Sequence, residues 1–239
     1  MINIIHNYLN FLHKKIFHKK KYFSFSGVDI AINNIFRNKS HGFYLDVGCQ
    51  HPIKNNNTYL LHKKGWSGIN IDLDQDNIDL FNSSRPKDLN ICAAISSSIT
   101  EKDLYYYHKK SPINTLESSV SKLHKTAVKE IKKVKTNTLN NILKLSNINN
   151  KKINLFSLDV EGHELDVFLG FDFEKYSPDV IVVEYLDLSL SKIEIKDQDI
   201  NRILISKIYN LMISKNYVLV NIIYADLIFV KKSSKINYL

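Results

Sequence analysis

The sequence predicts an α/β fold: a mostly parallel β-sheet with helices on both faces and an antiparallel hairpin at its C-terminal end. Three observations carry this. Runs such as FYLDV, INLFSLDV and DVIVVEY are continuously apolar rather than alternating, as strands buried on both faces require. Amphipathic segments separate them, giving the strand–helix alternation of parallel sheets. The last two apolar runs, YVLVNII and DLIFVKK, lie close enough for a hairpin.

The elements follow in order. HGFYLDVG reads as a first strand and residues 57–64 as a helix. Ser67 to Asp74 is a second strand, with a helix over 76–82. LNICAAIS, Leu89 to Ser96, is a third strand, and LYYYH, Leu104 to His108, an extra hairpin strand whose tyrosines alternate faces. The Lys-rich stretch from Ser118 to Lys133 reads as weakly helical, and Thr138 to Leu145 as a short amphipathic helix. INLFSLDV is a fourth strand, followed by a helix over 163–169, and Asp179 to Tyr185 is a fifth. Residues 201–215 form one long amphipathic helix with Ile203, Leu204, Ile208, Leu211 and Met212 on a single face.

A chain of 239 residues with 44% hydrophobic side chains fits one large domain with a proper core. Two cysteines, Cys49 and Cys92, make neither a disulfide framework nor a cysteine zinc site, so a reducing, cytoplasmic location is the simplest reading. The net charge of +9 raises the question of nucleic acid. The lysines, however, are spread over every segment and few sit beside aromatics, which describes a solvated basic surface. No apolar run reaches the roughly 20 residues of a membrane span. Residues 1–25 place Ile4, Ile5, Tyr8, Leu9, Leu12, Ile16 and Phe17 at helical spacing with a basic face. They fail as a signal peptide and suit packing on the domain, on a partner chain or, weakly, on an anionic membrane surface. The expected division is a basic amphipathic extension over 1–40 and a catalytic domain over 41–239.

Two strand-to-loop junctions carry the chemistry. In FYLDVGCQHP, Asp46 ends a strand and Gly48 permits a tight turn and a close backbone approach. Asp72, at the end of the second strand, suits a carboxylate accepting from ribose hydroxyls. The loop has one glycine and then Cys49, Gln50, His51 and Pro52, which is poorly built to cradle a pyrophosphate. An adenosine cofactor without phosphates fits better, with Asp46 near its cationic amino-acid end. In SLDVEGHELDVF, Asp159, Glu161 and His163 gather where a buried strand hands over to a helix, and Glu184 ends the next strand. Ligands in such sheets bind beyond the carboxyl ends of the strands, where all these groups fall.

At this point the motifs FYLDVGCQHP, NTYLLHKKGWSGINIDLD, RPKDLNICAAIS, KVKTNTLNNIL, SLDVEGHELDVFLGF and KYSPDVIVVEY resemble, in that order, FkbM-type S-adenosylmethionine-dependent methyltransferases. The resemblance spans about residues 41–231. It implies a class I methyltransferase (Rossmann-like) fold with Asp46, Gly48 and Asp72 contacting S-adenosyl-L-methionine, and methyl transfer to a hydroxyl, often of a sugar or a polyketide. The sequence departs from the family pattern at Cys49, where Ala is more usual, at Gln50, where Asn is, and at Pro52, which replaces a second glycine.

Within that resemblance Asp159, Glu161, His163 and Glu184 are the catalytic candidates, orienting the acceptor or taking its proton. Oxygen ligands at these strand ends suit a hard cation such as magnesium, although the spacing alone names no metal set. His51 is a candidate substrate contact, the NTLESS stretch over 114–119 a loop placed to cover the site, and Trp66 a core residue. The expected activity is O-methyl transfer to a small-molecule or glycan acceptor, as in polysaccharide biosynthesis. The rivals are a nicotinamide-dinucleotide oxidoreductase or epimerase, against which the glycine-poor loop argues, and a basic RNA-binding methyltransferase, which lacks an aromatic platform.

Overall fold

The structure, a computed structural model, describes residues 22–146, 148, 151–187 and 199–236; most of the helix expected over residues 1–25 lies outside them. Ten strands occur in the described residues: β1 (Phe43–Val47), β2 (Ser67–Asp72), β3 (Leu89–Cys92), β4 (Ala94–Ile95), β5 (Glu101–Tyr106), β6 (Glu130–Asn137), β7 (Leu155–Leu158), β8 (Val180–Glu184), β9 (Tyr217–Ile223) and β10 (Asp226–Lys231). Seven of them form the main sheet in the order β3-β2-β1-β7-β8-β10-β9. All its pairings are parallel except those of β10, which is antiparallel to both β8 and β9. The C-terminal hairpin is therefore present, but its second strand inserts into the sheet and its first forms the edge.

Period-2 geometry divides each strand between two cores. On one face Phe43, Leu45 and Val47 of β1 pack with Phe156, Ile181 and Val183 under the helices at Leu139–Leu145, Glu164–Leu169 and Lys207–Ser214. On the other face Tyr44, Leu155, Val180 and Val182 pack with Val28, Ile32 and Ile35 of the helix Val28–Ile35 and with Trp66, which is a core residue as expected. Both faces being covered explains why these strands read as unbroken apolar runs. The helix Val28–Ile35 lies within the stretch read as an extension, yet Val28 and Ile32 are fully buried. Among the described residues no helix is long and apolar enough to cross a membrane.

Three local readings are corrected. The third strand is two: β3 stays in the main sheet, while β4 leaves it for a three-stranded sheet ordered β4-β6-β5. Residues 118–133 are helical only over Ser118–Ser121, and Glu130 opens β6, whose EIKKVKTN alternates in exposure. Its β-branched Ile131, Val134 and Thr136 and its pairing with β5 outweigh the weak helical preference of its lysines. The long helix over 201–215 is broken at Ser206, whose extended backbone ends Ile200–Ile205 and whose hydroxyl accepts from Tyr209 N to cap Lys207–Ser214.

Candidate active site at the switch point of the sheet

Chain order reverses between β1 and β7, so a crevice opens at their carboxyl ends. A cleft lies there. Its walls are Gly48, Gln50 and Asn55 after β1, Asp72 to Asp74 and Asn77 after β2, Ala93 to Ile95, and Asp159 to Glu161 with His163 after β7. A further wall is the loop of Ser111, Pro112, Asn114 and Leu116, of which Asn114 and Leu116 belong to the stretch 114–119 expected to cover the site. That loop is tied to both halves of the site. Lys110 N donates to Asp74 Oδ2 at 2.7 Å and Thr115 Oγ1 to the Glu161 carbonyl at 2.8 Å.

The first junction is tightly wired. Gly48 N and Cys49 N both donate to Ile71 O, and Gln50 N donates to Asp72 Oδ2 at 2.9 Å. Gly48 has φ +78, and a Cβ there would stand 1.6 Å from the Asp159 carbonyl oxygen. The close approach that the glycine permits is thus to the backbone of the β7 loop. Gln50 has φ 48, a conformation in which Asn is less strained, which fits the family's preference at that position. Cys49 is buried against Ile78 and Phe81 and acts as a small hydrophobe. Both cysteines are free.

Asp72 reaches the cleft with both oxygens already engaged: Oδ1 accepts from Asp74 N and Asn77 Nδ2, and Oδ2 from Gln50 N. A carboxylate has about four acceptor directions, so one remains, on Oδ2. Asp46 does not line the cleft. It lies behind the loop, where Oδ2 accepts from Thr58 Oγ1 at 2.7 Å and Asn56 Nδ2 at 3.2 Å. Behind these is Arg85, 1% exposed, which donates to Thr58, Asn56 and the Pro52 carbonyl. Burial pushes Asp46 up to about 6 against the opposing Thr58 bond and Arg85 charge.

The second junction is a nest of carboxylates. Glu161 (φ 56) and Gly162 (φ 93) are successive left-handed residues, and a side chain at 162 would meet Val120 at 2.4 Å. A non-glycine residue held there costs on the order of 1–3 kcal/mol and is a mark of functional loops. Glu164 is buried, and its Oε1 accepts from Val160 N and Gly162 N, closing the turn. Burial raises Asp159 against its hydrogen bond with Glu184, burial and neighbouring carboxylates raise Glu161 and Glu184, and burial brings Glu164 to about 7. Asp226, opposite Glu184 in the sheet, is likewise raised by burial to about 7. Asp159 and Glu184 share a hydrogen bond, so at most one of the pair ionises easily.

His163 is 1% exposed, and both ring nitrogens are engaged, Nδ1 with Glu117 at 2.5 Å and Nε2 with Ser96 Oγ at 3.0 Å. It lines the cleft as a wall braced between Glu117 and Ser96. His51 turns its Nδ1 inward to accept from Ile53 N and Lys54 N and is not among the cleft walls. Sequence reasoning missed Arg85, Glu164, Asn77 and Asp226. Glu164 and Asn77 stand one helical turn or less from named residues and were open to notice. Asp226 was not, because it reaches the site only through the insertion of β10 beside β8.

This sheet order, with its one antiparallel insertion and its cleft at the reversal, is that of a Rossmann-like methyltransferase. Over residues 46–218 the chain matches the methyltransferase FkbM domain, and it belongs to that family. No curated protein and no solved structure gives a match.

Two outcomes follow from this geometry. Gly48→Ala should lose about 3 kcal/mol or more of stability in urea denaturation, because a carbonyl oxygen occupies the Cβ position. Gly65→Ala, also at positive φ but with its nearest neighbour 3.8 Å away, should lose only about 1 kcal/mol; equal losses would remove the special status of Gly48. The second concerns pH. An unfolded Asp ionises near 3.9, so the proton is held more tightly by folded Asp46 at about 6. Its stability contribution is full below about pH 4 and is lost as the pH rises through about 6. Denaturation of Asp46→Asn between these limits should show a flatter dependence than wild type, and an unchanged slope would show Asp46 ionised throughout.

Proposed function

We propose that this protein transfers a methyl group from S-adenosyl-L-methionine to a hydroxyl of a carbohydrate or related metabolite. The observation that carries this is the use of the loop after β1. The amides of Gly48, Cys49 and Gln50 are all engaged with β2, Pro52 has none, and those of Ile53 and Lys54 go to His51. A pyrophosphate needs free amides at a glycine-rich loop opening onto a helix. Here the next helix begins only at Tyr59, so a dinucleotide finds no cradle. An adenosine without phosphates needs a ribose acceptor and an apolar slot, which the open direction of Asp72 Oδ2 and the walls Leu73, Ala93 and Ile95 provide.

S-adenosylmethionine supplies an electrophilic methyl group; the chain must orient the acceptor and receive its proton. As the acceptor oxygen bonds to the methyl carbon, the carbon–sulfur bond breaks and the hydroxyl proton is released. Glu161 is the residue for that proton. It lines the cleft on a strained turn whose backbone carbonyl is anchored by Thr115. Asp159 stands beside it on the same wall. Asp46 serves indirectly, with Arg85 bracing the segment behind the loop. Among the described residues no Phe, Tyr or Trp lines the cleft, which disfavours a nucleobase acceptor that would stack. Two free cysteines fit a reducing, cytoplasmic setting.

Calorimetry with S-adenosylmethionine, its demethylated product and NAD tests the cofactor. The first two should bind, NAD should not, and Asp72→Ala should weaken binding about tenfold, the worth of one hydrogen bond to a charged group. Tight NAD binding with no response to the other two would reverse the assignment. For the transfer step, Glu161→Gln should lower turnover on a methyl-accepting sugar by about 100-fold or more with cofactor affinity unchanged. Near-normal turnover would reduce Glu161 to a turn residue.

A further inference from the structure

We propose that Asp159, Glu164 and Glu184 form an oxygen-only site for a divalent cation, magnesium or manganese, where β7 and β8 end beside the cleft. Each offers a carboxylate oxygen, and these atoms all lie within 4.8 Å of one another, close enough for one coordination shell after small side-chain movements. Three carboxylates without nitrogen or sulfur are the donor set of a hard cation.

A second, separate observation points to a ligand. Oε2 of Glu184 is buried and no nitrogen or hydroxyl among the described residues donates to it; the partner that the side chain does have is another carboxyl, that of Asp159. An unpaired buried carboxylate oxygen is costly unless something positive meets it. The leading charges acting on Asp159, Glu161 and Glu184 are those of other carboxylates. This holds in a chain of net charge +9. The contrast with Asp46, which has Arg85 behind it, shows that the fold does compensate a buried carboxylate elsewhere.

The ligands are also held in place. Glu164 is fixed by two backbone amides on Oε1, which leaves its second oxygen for a ligand. Asp159 is fixed through its own amide, bonded to Val47 O at 3.0 Å. The neighbouring group Glu117, His163 and Asp166 also has ligand-like spacing, but Ser96, Ser97 and their mutual contacts occupy it.

Asp159 is at once a cleft wall and a ligand, so a cation here would meet the acceptor oxygen and ease its deprotonation, with Glu161 receiving the proton. That role rests on the methyl-transfer reading; the binding of the cation does not.

The test uses the full chain, stripped with chelator and titrated with Mn²⁺ followed by electron paramagnetic resonance, alongside thermal melting with Mg²⁺. Wild type should bind one Mn²⁺ competed by Mg²⁺, and Mg²⁺ should raise its melting temperature. Glu184→Gln should weaken Mn²⁺ binding at least tenfold and remove the Mg²⁺ response. Should that variant not fold, Glu184→Asp, which keeps the charge and shortens the reach, should show a smaller loss of the same kind. Wild type that fails to bind Mn²⁺, or wild type and variants that bind it equally, would overturn the site. S-adenosylmethionine calorimetry on the same samples separates the two readings. Cofactor binding without any cation response sinks only the cation site. A cation response without cofactor binding supports the site and sinks the functional assignment.

Discussion

The packing of Gly48 against the Asp159 backbone is the contact on which the site depends. β1 is the central strand of the reversal, and its carboxyl end must touch both neighbours. It meets β2 through two amides given to Ile71 O, and β7 through the Val47 carbonyl, which accepts from Asp159 N. Gly48 lies between them, with no room for a Cβ. One residue without a side chain therefore sets how far Asp72 stands from the carboxylates after β7. The loop amides are turned inward by the same wiring, which decides what class of cofactor the cleft accepts.

Buried charge is handled in two opposite ways on either side of that joint. Behind β1, Asp46 sits in a network with Asn56, Thr58 and Arg85, where hydrogen bonds and a guanidinium offset part of the desolvation. The network connects the loop, the segment after it and the helix Gln75–Ser84, so it braces the cleft from outside. At the ends of β7 and β8 the carboxylates face each other; two backbone amides hold Glu164 and a hydrogen bond joins Asp159 to Glu184, but the leading charges on them are negative. Buried carboxylates perturbed in this way cluster at functional sites.

The sheet was legible in the sequence because both of its faces are buried. That makes FYLDV, INLFSLDV and DVIVVEY unbroken apolar runs, and the order of motifs then placed Asp46, Asp72, Asp159 and Glu184 at one edge. The small sheet was not legible, since three of the eight residues of β6 are lysine and its strand character comes from pairing with β5. The break at Ser206 was hidden because apolar spacing continues across it, and only the backbone reveals the cap. Within the site, residue types at strand ends were readable but their orientations were not. Asp46 and His163 carry the right chemistry for a cleft, yet one lies behind the loop and the other has both nitrogens engaged.

The central claim is that the cleft at the β1–β7 reversal takes an adenosine through Asp72 while the loop amides stay engaged with β2. A crystal structure of the full chain with S-adenosylhomocysteine tests this most directly. The account predicts a ribose hydroxyl on Asp72 Oδ2, with Gly48 and Cys49 still bonded to Ile71 O and Gln50 to Asp72. A ligand held by freed loop amides, or seated away from this cleft, would contradict it.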